Sequence, residues 1–217
     1  MARILLVLLS CLTMASSEAI AQPIMLTTTF VGGVGQSGNM FDIVAINPMT
    51  IQAFDIHLGA GATETIEIYY LTAGGSFVGN EANSSAWTLI GSAPNVVSAG
   101  ANVPTTVPIT VGVTIPAGMT QGFYVTTTAG TMWYTNGTTP GAVFASDANI
   151  QFLEGIGIAY PFGSIFNPRV WNGNIYYNLA GSSNAYQTNQ AGASLDFDGV
   201  QGSSFAPAIV QKVPGSP

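Results

Sequence analysis

Asp55 and His57 lie two residues apart where apolar residues alternate, which puts both side chains on one face of a strand. A carboxylate and an imidazole are two members of an acyl-transfer triad, and serines to complete it are plentiful. A triad carboxylate, however, meets the second imidazole nitrogen from another part of the fold, and the chain has no nucleophile-elbow pattern. Asp55 and His57 therefore read as an exposed strand pair. His57 is the only histidine and Cys11 the only cysteine, so a transition-metal site would lack its usual nitrogen and sulfur ligands.

Two carboxylates alone suffice to cleave a glycosidic bond if the fold holds them at the right separation. Glu67 projects opposite Ile66 and Ile68, Asp42 lies on an early strand, and Asp147 and Glu154 flank a later one. Their spacing brings no two of them together, so no residue is assigned a catalytic role. For an ion, Asp196-Phe197-Asp198-Gly199 is the better pattern. It sets carboxylates at i and i+2 before a glycine, as oxygen-rich calcium loops do, but lacks the other ligands of an EF-hand. Calcium on Asp196 and Asp198 is the one cofactor expectation.

Gly33-Val34-Gly35-Gln36-Ser37-Gly38 matches the dinucleotide fingerprint, with Asp55 near the distance of a ribose-binding acid. That chemistry needs a helix N-terminus after the glycines. Met40 to Ile46 reads as a strand instead, so the glycines are expected to form a turn at which two strands reverse.

The densest constellation is aromatic. Tyr160, Phe162, Phe166 and Trp171 surround Arg169 in a segment that contains Pro161 and Pro168, which stiffen the backbone. Flat rings bury the C–H faces of sugars while a guanidinium or amide bonds the hydroxyls, and protein interfaces use the same side chains. Trp133 with Tyr134, and Trp87, extend the candidate surface. The opposing reading places Phe162, Phe166 and Trp171 in the core and makes Arg169 a structural hub, since large aromatics are mostly buried.

The elements that must position these residues are strands. Val107, Ile109, Val111, Val113 and Ile115 share one parity against Thr106, Thr110 and Thr114, which predicts a strand over 107–115 ended by Pro116-Ala117-Gly118. Phe123, Val125 and Thr127 alternate with Tyr124 and Thr126. Phe54, Ile56 and Leu58 share a face, as do Ile66, Ile68 and Tyr70 after the break at Gly59-Ala60-Gly61. Further strands are expected at 25–31, 40–46, 87–90, 132–135, 149–153 and 174–179. Short strands between Gly, Asn and Pro clusters predict an all-β, antiparallel, jelly-roll-like β-sandwich, a single domain over 22–179 with a C-terminal extension.

At the amino end, Met1 to Arg3 are followed by an apolar run from Ile4 to Ala15 and by Ala19-Ile20-Ala21. This reads as a signal peptide over 1–21, cleaved between Ala21 and Gln22. A lipoprotein-type site at Leu8-Leu9-Ser10-Cys11 is the alternative. Residues 180–192 read as a polar linker and 193–217 as a final strand and tail. That strand either folds back on its own domain or adds to a neighbour's sheet edge.

Arg3 and Glu18 both leave with the leader, so Arg169 and Lys212 are the remaining cations and the formal charge stays at −7. Clustered Lys and Arg are what nucleic acids and anionic lipids require, and neither partner suits this chain. No second apolar run reaches membrane-spanning length. Asn83-Ser84-Ser85 and Asn136-Gly137-Thr138 are sequons in expected loops.

The segments from Phe30 to Ile43, Ala86 to Gly91, Ile115 to Gly118, Gly122 to Val125, Tyr160 to Gly163 and Phe166 to Gly173 resemble an uncharacterised family of exported bacterial β-sandwich domains. The resemblance implies a repeated module of surface and extracellular proteins and brings no catalytic residues. The expected function is a secreted, non-catalytic extracellular or cell-surface module, structural or adhesive, whose partners are itself or other extracellular proteins. The alternatives are a carbohydrate-binding β-sandwich and a carboxylate-dependent polysaccharide-cleaving enzyme.

Overall fold

The alternating segments become fifteen β-strands. In chain order they are β1 (Ile24–Thr27), β2 (Val34–Gln36), β3 (Gly38–Ala45), β4 (Met49–Ile56), β5 (Thr63–Leu71), β6 (Trp87–Val97), β7 (Thr105–Thr106) and β8 (Val113–Ile115). There follow β9 (Thr120–Thr127), β10 (Met132–Asn136), β11 (Val143–Ser146), β12 (Ile150–Leu153), β13 (Gly155–Ile158), β14 (Ile165–Trp171) and β15 (Gly173–Leu179). The computed structural model describes residues 22–180, which form one compact unit. Among them the only helical element is a single 3-10 turn, Ser84–Ala86, and no helix is long and apolar enough to cross a membrane.

The strands make two antiparallel sheets that do not close into a barrel, a β-sandwich. The five-stranded sheet runs β1-β15-β4-β7, with β8 also on β4. The ten-stranded sheet runs β2-β10-β14-β13-β3-β9-β5-β6, with β12 on β3 and β11 on β12.

Period-two alternation decides which side chains lie between the sheets. Phe41 and Ile43 of β3, Ile66 and Ile68 of β5, and Phe123 and Val125 of β9 meet Ile51, Phe54 and Ile56 of β4, all fully buried. Each such side chain contributes on the order of 2 kcal/mol by leaving water. At the centre the Trp171 indole stacks on Phe41 at 4.7 Å and stands edge-on to Phe54 at 5.4 Å, so β14 of one sheet is joined to β4 of the other.

The central strands of the larger sheet are buried on their second face too. Met40, Tyr124, Ile156 and Ile158 form a smaller core with Leu71, Phe77 and Trp87. Its cover is the 72–86 segment together with Phe162. The cover is pinned by Asp42, which accepts from Ser76 Oγ at 2.5 Å and from the Phe77 N–H at 2.9 Å.

Two sequence expectations change here. Of the strand expected over 107–115 only Val113–Ile115, β8, forms, with the two-residue β7 just before that range, although Val107, Val111 and Ile115 are buried as its parity requires. Pro108 has no N–H to give, and Gly112 takes φ +65°, so the chain follows β4 with isolated bonds from Val107 to Phe54 O and from Val111 to Gln52 O. The glycine fingerprint is not a reversal either. Ser37 is a bend through which β2 runs on into β3, both antiparallel to the β9–β10 stretch. A Cβ at Gly35 would stand 2.5 Å from Thr131 Cγ2, and one at Gly38 2.5 Å from Thr126 Cβ, so the glycines admit a close strand rather than a phosphate.

Residues 25–31 form a shorter strand than expected and 87–90 a longer one, β6. The leader with Ala21, all of the linker after Ala180, and Asp196 and Asp198 lie outside the described residues.

Candidate functional site

The aromatic segment from Tyr160 to Trp171 is divided among separate environments. Trp171 is fully buried in the main core and offers no face to a ligand. Phe162, at φ +56°, lids the smaller core and packs against Tyr124 at 5.1 Å and Tyr69 at 5.7 Å. Phe166 is exposed on the first half of β14, and Tyr160 is half-buried. Arg169 lies over the Tyr134 ring, with its guanidinium carbon 5.4 Å from the ring centre, and donates from Nη1 to Pro168 O at 2.6 Å. A grouping of Tyr160, Phe162, Phe166, Arg169 and Trp171 around one ligand is therefore not formed. Along β14 exposure falls steadily, from exposed Ile165, Phe166 and Asn167 through half-buried Pro168 and Arg169 to buried Val170 and Trp171. Trp87 and Tyr134 are buried as well, and Trp133 is half-buried against His57 at 5.5 Å.

Asp55 and His57 are likewise not exposed. Asp55 faces its cross-strand neighbours, accepting on Oδ2 from Asn174 Nδ2 at 2.8 Å and from Tyr176 O–H at 2.7 Å. His57 lies past the end of β4, under the 98–104 loop, and is fully buried. Its Nε2 accepts from the Asn102 N–H at 3.1 Å, so the neutral ring carries its proton on Nδ1. The amide of Asn172 stands 3.2 Å from Nδ1 and also meets Thr135 Oγ1 at 3.0 Å. With the tautomer settled, the amide oxygen belongs at the ring and the amide NH2 at Thr135, whose own hydroxyl donates to Val31 O. Burial holds the imidazole below its ordinary value. This is a neutral structural hub, with no hydroxyl nucleophile on either ring nitrogen.

The carboxylates considered for hydrolysis each hold a local structure. Asp147 accepts from the N–H groups of Asn149 and Ile150 and from Tyr177 O–H at 2.7 Å, which pushes the tyrosine up to about 12, with burial as the larger cause. Glu154 accepts from the N–H and the hydroxyl of Thr138. Glu67 accepts from Tyr69 O–H at 2.7 Å. Burial, and then the Glu67 carboxylate, raise both Tyr69 and Tyr160. Among the described residues no group of three or more His, Cys, Asp or Glu could hold a metal ion.

Two further features lie outside these motifs. The first is the set of sheet edges. β1, β2, β6, β7, β8 and β11 border the sheets, and none carries a charged side chain. β6 is eleven residues long, with Leu89 46% and Val97 65% exposed, and Met25 on β1 is 49% exposed. Pro94, Asn95 at φ +56° and register shifts against β5 interrupt β6, but the charges that usually guard an edge are missing.

The second feature is a groove of about 590 Å³ where the two sheets part, lined by Tyr70 and Ile90 of the larger sheet, by 111–114 of the smaller, and by Thr72 and Gln121. Gln121 is 7% exposed and donates through Nε2 to Leu71 O at 2.9 Å and to Gly122 O at 3.1 Å. β5 ends at Leu71, and Gly75 takes its place beside Gln121, bonding Thr120 O and receiving the Gly122 N–H. One sequence signal pointed here: Gln121 shares the inward parity of Phe123 and Val125, a polar residue in an apolar row.

No family model matches the chain, and no curated protein matches it.

Proposed function

We propose that the chain is a non-catalytic extracellular module, structural or adhesive, that associates with copies of itself through its sheet edges. The observation that carries this reading is the absence of any charged side chain from the six bordering strands. An unpaired strand edge presents a row of N–H and C=O groups to any second strand, and a lysine there is the common deterrent. Arg169, the only Lys or Arg between residues 22 and 180, is on β14 within the sheet. Export through the 1–21 leader and the resemblance to surface modules support the extracellular setting. The engagement of Asp42, Asp147 and Glu154 in holding turns supports the non-catalytic one.

The test is light scattering and negative-stain imaging of the processed chain over a wide concentration range, beside Leu89→Lys and Val34→Lys. Assembly that grows with concentration and is suppressed by either lysine is the expected result. A wild-type chain that stays a monodisperse monomer at the highest concentration overturns the reading.

A further inference from the structure

We infer that the groove between Tyr70 and Gln121 is a binding site for a neutral saccharide. Both protons of the Gln121 amide are spent on the Leu71 and Gly122 carbonyls, which fixes the side chain and leaves Oε1 as an acceptor with no partner among the described residues. The Tyr70 hydroxyl also has no partner among them, so a donor and an acceptor line one concavity unpaired. A buried amide held rigid with its oxygen unused is the kind of polar group that fixes a ligand's orientation.

The remaining lining sets the class of ligand. No lining residue is charged, so the groove has nothing for a carboxylate, phosphate or ammonium to pair with. The Tyr70 ring and the side chains of Ile90 and Val113 supply flat apolar surface for C–H faces, and Thr72 and Thr114 place hydroxyls at the rim. These hydroxyls are themselves steadied, Thr72 against Thr88 at 2.7 Å and Thr114 against Thr50 at 2.9 Å. A neutral sugar has the alternating C–H and O–H groups that such a surface can satisfy. The net charge of −7 disfavours its acidic counterparts.

The experiment is calorimetric titration of the processed chain with cello-, xylo-, manno-, malto- and chito-hexaose, and with oligogalacturonate as the acidic control. At least one neutral hexaose is expected to bind with affinity near the millimolar range. Thr114→Arg, which fills the rim from an exposed position, should weaken that binding by tenfold or more, equivalent to about 1.4 kcal/mol. Tyr70→Phe, which removes only the hydroxyl, should weaken it about fivefold. Amide NMR shifts on titration, mapped to Gly74, Gly112 and Gln121, give a reading on the wild-type chain that needs no variant to fold. No binding by any neutral hexaose, binding that shifts residues elsewhere, binding indifferent to Thr114→Arg, or tighter binding of oligogalacturonate would each overturn the inference. Val34→Lys on β2 should leave the affinity unchanged, which separates this site from edge association.

Discussion

The Nε2 of His57 takes the backbone N–H of Asn102 at 3.1 Å, which ties the 98–104 loop to the end of β4 through an imidazole that must stay neutral to accept. Protonation of the ring would cost this bond and charge a buried group. Burial lowers the folded-state value below 6.5.

A histidine depressed in this way binds protons more readily when the chain is unfolded, so the unfolding free energy should fall as pH drops below about 6.5 and be constant above it. His57 is the only histidine, so His57→Gln should remove that slope between neutrality and the carboxylate range. Urea unfolding at a series of pH values measures it. A wild-type profile that is flat below pH 6.5 would contradict the buried neutral hub.

Asp42 holds the 72–86 cover through Ser76 and Phe77, and burial raises its carboxyl above 3.8 against the pull of those two hydrogen bonds. The sign is opposite to that of His57. The folded protein retains this proton more firmly, so its share of stability is complete below pH 3.8 and lost as pH rises through the folded value. Asp42→Asn should abolish that acid-range contribution. Asp42→Ala should cost about 1–3 kcal/mol by leaving the Phe77 N–H unpaired, and should speed hydrogen exchange at Phe77. Unchanged protection there would refute the tether.

Trp171 joins the two sheets through Phe41 and Phe54. Trp171→Ala should cost about 3–5 kcal/mol, a buried ring and its cavity together. Trp171→Phe should cost less, since the indole Nε1 has no hydrogen-bond partner to lose. Denaturant titration compares the two. A loss under about 1 kcal/mol for the alanine variant would be inconsistent with its place in the core.

The pattern of strands was legible wherever one face meets the core. Parity places Ile66 and Ile68, Phe54 and Ile56, and Phe123 and Val125 on shared faces, and each is fully buried. Even where Pro108 and Gly112 break the ladder, the parity of Val107, Val111 and Ile115 still predicted which side chains face in. The candidate site was less legible. Period-two reasoning assigns two faces to a strand but does not reveal that β3 and β9 are central and covered on both, which is why Tyr124 and Met40 form a second core. Asp55 and His57 read as exposed because a polar pair on a strand usually faces water. Asn174, Tyr176, Asn172 and Asn102, distant in sequence, supply the bonds that let both be buried.

Local chemistry by itself determined the all-β class, the faces of most strands and the scarcity of charge, because backbone alternation, glycine and proline geometry and ionisation act within a few residues. Only the tertiary structure decided that Trp171 is core, that Arg169 rests on Tyr134, and that Tyr70 and Gln121 face one groove. Those outcomes depend on which strands become neighbours. Leu71 O and the Gln121 amide are fifty residues apart along the chain and meet only because β5 and β9 are paired.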